Sequence, residues 1–453
     1  MKKLSYLICV LLLLSSCGSD DGPGYQEPYD PSNNDPVVDP LTDIELMDLI
    51  QDRTFNYFWD YAETNSGAAR ERYHPDDPTN SQNVVTTGGS GFGLMAILVG
   101  IERGFVSRAE GVQRLNQILT FFENADRFHG GWPHWLNGAN GNIIPFSSQD
   151  DGGDIVETAF FVQGLICVVE YFKNGSTEEM ALSNLADTLW KGVEWNWYTN
   201  NQNKLIWHWS PNNGFAINLE LKGYNETLIA FILGAASPDY SIPVEAYEQG
   251  WASNGAIETA ATQYGYQLIL DHAGTGTGPL FWAHYSYLGL NPTNLSDQYA
   301  NSYWDVNVNH TMINYSYCVD NPHNYTEYGP DCWGLTASYS RETDGSVGYS
   351  AHDPENDKGV ISPTAAISSI PYTPQQSLAA MHHFYSKGTT LLGNAGFYDA
   401  FSPQYNWVTK RYLAIDQGPQ IVMIENYRTG LLWNLFMQNQ DVQNGLDALG
   451  FNY

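Results

Sequence analysis

Residues 147–169 read Ser147-Ser148-Gln149-Asp150-Asp151-Gly152-Gly153-Asp154-Ile155-Val156-Glu157-Thr158-Ala159-Phe160-Phe161-Val162-Gln163-Gly164-Leu165-Ile166-Cys167-Val168-Val169. From Ile155 onward the run is apolar on nearly every side, which a helix tolerates only inside a layer of other helices. The next apolar positions, Leu182, Leu185, Ala186, Leu189 and Val193, recur at the helical period on one face only. The same contrast returns along the chain, with nearly all-apolar stretches at 91–101, 227–236 and, with interruptions, 421–436. Alternation of fully buried with one-faced helices predicts an all-α fold, a double ring of helices or (α/α)6 barrel, in one domain. In such a ring the inner helices run the same way, so the polar residues preceding them converge on one funnel. Thr42…Glu45, Ser107…Glu110, Asp154…Glu157 and Ser176…Glu179 each have capping-box spacing. Only residues 204–210, with Leu205, Trp207 and Trp209 alternating against Ile206 and His208, read as a strand.

Composition narrows the functional classes. Among 453 residues, 19 Lys plus Arg stand against 50 Asp plus Glu, a formal charge of −31 that repels nucleic-acid backbones and anionic membranes. With 43% hydrophobic and 14% aromatic residues, including 14 Trp and 30 Tyr, the chain is a folded globule and not an acidic tail.

The first residues read as an export signal: Lys2 and Lys3, an apolar run over 4–14, then Ser15-Ser16-Cys17. The Leu-Ser-Ser-Cys end resembles a bacterial lipobox, which implies a signal peptide over 1–16 and lipidation of Cys17. Ser19-Asp20-Asp21 resembles the acidic export signal of Bacteroidetes-type surface lipoproteins. Residues 17–40 hold too little apolar surface to fold and read as a flexible tether, leaving 41–453 as the folded domain. The expected location is the outer membrane, periplasmic face or cell surface, with the membrane touched only through the lipid, and the expected state is a monomer. Of the remaining cysteines, Cys167 reads as a buried small hydrophobe, and Cys318 and Cys332 are able to pair in an oxidising compartment.

Three acidic sites stand out. Asp150, Asp151 and Asp154 directly precede the buried run. Asp154 fits a helix N-cap and the others fit Asx turns, yet a helix N-terminus also keeps a carboxylate in the ionised form that a general base needs. Gly223-Tyr224-Asn225-Glu226 precedes the next buried run; Glu226 is either a solvated first-turn acid or a partly desolvated one whose raised pKa suits a proton donor. The third comprises Asp416-Gln417-Gly418-Pro419-Gln420 and Glu425-Asn426-Tyr427-Arg428, in which Glu425 and Arg428 are spaced for a structural ion pair. Trp132-Pro133-His134-Trp135, Trp195, Trp197, Trp207, Trp209, Trp282, Trp304 and Trp333 offer faces for sugar rings, although single aromatics are more often core. The Trp132 cluster is the favoured platform. The candidate substrate contacts are therefore Asp151, Trp132, Trp135, Tyr224, Gln417, Glu425, Tyr427 and Arg428. Gly88-Gly89-Ser90-Gly91-Phe92-Gly93 fits neither a nucleophile elbow nor a P-loop and reads as close packing at a helix start. Residues 353–359 lack calcium-loop spacing and read as a surface turn. With no His-x-x-x-His pair, no metal or cofactor is expected.

Gly223-Tyr224-Asn225-Glu226, Trp333-Gly334-Leu335-Thr336-Ala337-Ser338, Gly348-Tyr349, Pro363-Thr364-Ala365-Ala366, Gly396-Phe397-Tyr398-Asp399-Ala400-Phe401 and Ile415-Asp416-Gln417-Gly418-Pro419, in this order, resemble the "putative glucoamylase" family. That family includes the β-1,2-glucanases of glycoside hydrolase family 144 and is similar to the C-terminal domain of cyclic β-1,2-glucan synthases. The resemblance runs from about residue 41 to the end. It implies a single (α/α)6 barrel that hydrolyses β-1,2-glucan without a metal and with inversion, its important acids falling on Asp150, Asp154 and Glu226. In that expectation Glu226 protonates the leaving oxygen, directly or through a hydroxyl or water, and Asp154 or Asp150 activates water. The alternatives are a glucosidase of another linkage, such as α-1,4, and a glycan-binding lipoprotein that catalyses nothing. A polysaccharide lyase is disfavoured by the scarcity of Lys and Arg.

Overall fold

Helices carry the architecture, and several start at a side-chain cap that the sequence supplies, at Thr42, Ser107, Asp154, Ser176, Ser302 and Asn439. In the computed structural model, which describes residues 41–453 apart from Ala273 and Thr275, they are α1 (Asp43–Trp59), α2 (Thr87–Arg103), α3 (Arg108–Asn124), α4 (Ile155–Phe172), α5 (Thr177–Lys191), α6 (Leu228–Ala236), α7 (Tyr303–Asp320), α8 (Pro363–Ser368), α9 (Pro374–Ser386), α10 (Ala414–Thr429), α11 (Leu431–Met437) and α12 (Gln440–Ala448). The expected signal peptide, Cys17 and the tether lie outside the described residues. Capping boxes close at Thr42/Glu45, Ser107/Glu110 and Ser176/Glu179, each satisfying two orphan amides of the first turn. The fourth closes only by half: Asp154 caps α4, but the Glu157 carboxylate turns away from the cap. The long apolar stretch at 421–436 is divided between α10 and α11 by Gly430, whose φ of 70° ends the first helix in the left-handed region.

The helices that are apolar all round touch one another. Helix α2 packs between α4 and α10, α4 also meets α6, and α10 also meets α8. The one-faced helices pack against this group from outside, α5 on α4, α1 on α10, α9 on α8, and the short α12 on α6. The glycines of 88–93 serve close packing as expected. A Cβ on Gly91 would lie 2.3 Å from the Phe160 carbonyl oxygen, and one on Gly164 would lie 2.3 Å from the Gly91 oxygen, so α2 and α4 cross backbone to backbone. Between α6 and α7 the chain makes buried 3-10 turns at Leu280–Ala283 and Tyr285–Tyr287. Gln163 of α4 and Asn426 of α10 donate to the carbonyls of Tyr285 and Leu288, tying this segment to the buried helices.

Strands are short and join the helix starts. The strand expected over 204–210 is reduced to His208–Trp209, paired antiparallel with Gly153–Asp154. Arg72–Tyr73 pairs with Tyr412–Leu413 immediately before α10, and Val84–Thr86 pairs with Trp135–Asn137 immediately before α2. The longest hairpin joins Ala337–Arg341 to Val347–Ala351. Cys167, Cys318 and Cys332 are buried free thiols, so Cys318 and Cys332 form no disulfide. Residues 353–359 are not a plain surface turn: Asp353 is buried and accepts from the Glu355 and Asn356 amides, and the Tyr317 and Tyr328 hydroxyls donate to Asp357.

Candidate active site

The N-terminal ends of α2, α4, α6 and α10 bring acids together. Asp154 is the N-cap of α4, its Oδ1 accepting from the Val156 and Glu157 amides at 2.9 Å each. Its Oδ2 lies 3.0 Å from His134 Nδ1. Burial opposes a charged imidazole there, but the surrounding carboxylates of Glu157, Asp154 and Asp150 push the His134 pKa up to about 10. Asp150 is almost fully enclosed, with Oδ1 3.1 Å from His208 Nε2 and Oδ2 without a partner. Burial, with the like charges of Asp154 and Glu157 working against His134, raises its pKa to about 7. The Gly152 amide also donates to His208 Nε2 at 3.1 Å, and burial lowers the His208 pKa.

Glu157, one turn into α4, accepts from the Gly88 amide at 2.7 Å and from Thr86 Oγ1 at 3.2 Å, which places it across the start of α2. Burial raises its pKa. Glu226 stands two residues before α6 on a turn fixed at both sides. Gly223 has a φ of 76°, Asn225 Oδ1 accepts from Thr227 N and Oγ1, and the Glu226 carbonyl accepts from Ser286 Oγ at 2.6 Å. The Glu226 side chain is half-buried, and desolvation, with the charges of Asp154 and Glu157 adding to it, raises its pKa to about 7. Glu226 and the Asp150–Glu157 group are thus electrostatic neighbours. Tyr285 sits among them, its buried hydroxyl unpartnered and within the field of Asp416, Glu226 and Glu157. In chemical terms the site holds proton donors and acceptors poised near neutrality on separate elements, the requirement for acid–base work on a bound ether oxygen.

The remaining expected contacts divide. Asp151 accepts from Asn212 Nδ2 at 2.6 Å beside the cluster, and Trp135 is partly exposed, packed edge-on against Phe146 with centroids 4.8 Å apart. Trp132 is no platform: it is fully enclosed, donates to the Phe122 carbonyl and carries the Arg127 guanidinium 3.9 Å over its ring. Tyr224 is also enclosed, its hydroxyl spent on Asn307 Oδ1 at 2.6 Å. Gln417 is buried and donates to the Phe397 carbonyl. Asp416 faces the site, but Glu425 lies nine residues further along α10, roughly 14 Å at ~1.5 Å per residue. There Glu425 forms a bidentate pair with Arg103, at 2.7 and 2.8 Å, and not with Arg428, which binds Asp48 and Gln51. Tyr427 is exposed at that far end. Glu425, Tyr427 and Arg428 are therefore separated from the acids at the helix starts.

Sequence reading passed over His134, His208, Glu157 and Tyr285. His134 and Glu157 stood inside quoted motifs, where one was read among tryptophans and the other as a cap partner. Ligand atoms of His134, Asp150 and Asp154 lie within 4.8 Å of one another, close enough for a cation. His134 Nδ1 is already paired with Asp154 Oδ2 at 3.0 Å.

Residues 218–440 match the family described as "Putative glucoamylase". A protein of that description from Bacteroides caccae is 55% identical, over 91% of this chain and 100% of its own, with a TM-score of 0.88. The chain belongs to the "Putative glucoamylase" family. An endo-β-1,2-glucanase from Chitinophaga pinensis, solved with sophorotriose and glucose, is likewise 55% identical over 91% of this chain and 99% of its own, with a TM-score of 0.88. An exo β-1,2-glucooligosaccharide sophorohydrolase (non-reducing end) of Parabacteroides distasonis is 43% identical over 433 residues, 90% of this chain. The chain spans 58% of the length of that curated relative. The resemblance read from the Gly-Tyr-Asn-Glu and Asp-Gln-Gly-Pro segments is thus a family relationship over nearly all of residues 41–453.

Proposed function

We propose that this chain is a glycoside hydrolase that cleaves β-1,2-linked glucan or its oligosaccharides, in an (α/α)6 double ring of helices. The contacts of α6, α4, α2, α10 and α8 with one another, and of the one-faced helices with their outer sides, support the ring. The observation that carries the activity is the gathering of Glu226, Asp150, Asp154 and Glu157 at the starts of neighbouring buried helices, in a chain more than half identical to an endo-β-1,2-glucanase.

In this mechanism Glu226, protonated below about pH 7, gives its proton to the glycosidic oxygen as the bond to the anomeric carbon breaks, directly or through a hydroxyl or water. Water attacks the anomeric carbon from the opposite face and passes a proton to Asp150 or Asp154. The products are a hemiacetal of inverted configuration and a free sugar hydroxyl, the two-carboxylate route in which acid and base stand ~6.5 to 9.5 Å apart. The unpartnered Asp150 Oδ2 favours Asp150 as the acceptor, with Asp154 orienting His134 and the helix start. Lipidation at Cys17 with export to the outer membrane completes the proposal and rests on the sequence signal alone.

The test is incubation of the purified protein with linear β-1,2-glucan and with an α-1,4-glucan panel, followed by chromatography of the products over time. Products from the β-1,2 polymer, and a fall of at least ~100-fold in turnover in folded Glu226→Gln, are expected. Cleavage of α-1,4 chains alone, or saccharide affinity with no product, overturns the proposal.

A further inference from the structure

The chain forms a cavity of about 390 Å³, lined by Tyr61, Tyr73, Arg70, Asp60, Asn65 and Gln82 among others and by none of the catalytic acids. This volume lies within the range of small-molecule sites. Its aromatic wall is ordered: Tyr61 and Tyr73 stack with centroids 4.4 Å apart at 28°, and Tyr73 continues onto Tyr412 at 6.2 Å and 18°. Arg70 is more than nine-tenths buried, its guanidinium 5.3 Å over the Tyr73 ring. One of its nitrogens donates to the Asn80 carbonyl at 2.8 Å, while Nε has no acceptor. An enclosed guanidinium N–H left unpaired is costly.

The cavity's place in the fold ties it to the acids. Arg70 bridges to Val85, and Arg72–Tyr73 pairs with Tyr412–Leu413. Both partner strands run straight into buried helices, Val84–Thr86 into α2, whose Gly88 amide holds Glu157, and Tyr412–Leu413 into α10, whose first turn carries Asp416. The stacked tyrosines therefore lead from the cavity toward the rim on which the acids stand. Asp60 and Glu63 sit beside the single arginine, so an anion is disfavoured, and amides, carboxylates and phenols together suit no lipid tail. Flat aromatic rings beside planar hydrogen-bonding groups match a neutral sugar, whose C–H face stacks while its hydroxyls pair.

We propose that the Tyr61–Tyr73–Arg70 cavity is an outlying saccharide-binding site that holds a remote stretch of the glucan chain whose cleaved linkage lies at the Glu226 site. This rests on the β-1,2-glucan reading above. Remote binding of this kind tightens long substrates without entering the chemical step.

The experiment compares kcat and KM on long linear β-1,2-glucan with those on a short β-1,2-glucooligosaccharide, for wild type, Tyr61→Ala, Tyr61→Phe and Gln82→Ala. Tyr61→Ala is expected to raise KM for the long glucan at least about five-fold, with kcat and the short substrate unchanged. Tyr61→Phe, which keeps the stack, stays within about two-fold of wild type. Gln82→Ala changes an exposed side chain and shows the same selective direction if Tyr61→Ala does not fold. Unchanged KM on long glucan in the folded variants, or equal losses on long and short substrates, overturns the inference alone. A wild-type protein that cleaves no β-1,2-glucan overturns the underlying reading and the inference with it.

Discussion

His134 Nδ1 lies 3.0 Å from Asp154 Oδ2, so the carboxylate that caps α4 is also the partner of an imidazole held in its charged form. The same imidazolium opposes the rise of the Asp150 pKa. In His134→Gln an N–H donor remains but the charge is gone, so the Asp150 pKa moves above about 7. A general base must be ionised to act, and the acid limb of kcat/KM against pH should therefore shift to higher pH, with KM little affected. An unshifted limb would remove His134 from the site's electrostatics.

Asp154 does two jobs that substitutions can separate. Asp154→Ala loses the cap to the Val156 and Glu157 amides and leaves His134 unpaired, so stability should fall by about 1 to 2 kcal/mol in urea unfolding. Asp154→Asn retains a capping oxygen and should recover most of that stability. Activity should stay at least ~100-fold down in both, because the amide is neither base nor counter-ion. Full activity in Asp154→Asn would reduce Asp154 to a cap.

The crossing of α2 and α4 permits no side chain at Gly91. An added methyl would stand 2.3 Å from the Phe160 oxygen and 2.4 Å from the Phe161 Cα, and backbone cannot rotate away as a side chain can. Alanine gains about 1 kcal/mol over glycine as a helix former, but overpacking of this severity costs more. Gly91→Ala should lower stability by at least about 2 kcal/mol net, read by the urea midpoint at constant slope. An unchanged midpoint would mean that the helices separate without penalty.

What could be read from sequence follows the range of the interactions. Helix α4 was legible because its apolar residues leave no polar face, and three caps were legible because donor and acceptor lie three residues apart. Glu157 matched the same spacing and went elsewhere, because the Gly88 amide, 69 residues away in sequence, offered a buried partner. The Glu425–Arg428 spacing misled for a like reason: Arg103, 322 positions away, meets Glu425 in the interior. Two-residue strands such as Gly153–Asp154 have no periodicity to read. Their register comes from helices already placed, and that register sets His208 beside Asp150. Trp132 could not be told from a sugar platform because enclosure, not residue type, separates the two roles.

Asp399 and Asp416 form a buried acid pair that should leave a signature in stability against pH. The two carboxyls interact electrostatically, the Tyr339 amide donates to Asp399 Oδ2 at 2.7 Å, and Asp399 Oδ1 and Asp416 Oδ2 have no hydrogen-bond partner. Burial raises the Asp399 pKa to about 6, and burial with the Asp399 charge raises that of Asp416 well above the usual carboxyl range. In the unfolded chain both ionise near ~3.9. Below that pH both states hold the protons and neither acid penalises folding. Between about 4 and 6 the unfolded state releases the Asp399 proton while the folded state keeps it, so stability falls as pH rises, and Asp416 extends the fall upward. Asp399→Asn removes one of these titrations and the like charge beside the other, while its amide oxygen can still accept from Tyr339. Its loss of stability between pH 4 and pH 8 should therefore be smaller than that of wild type, measured by urea midpoints at pH 4, 6 and 8. Parallel curves for the two proteins would show that the pair titrates no differently in the folded and unfolded chains.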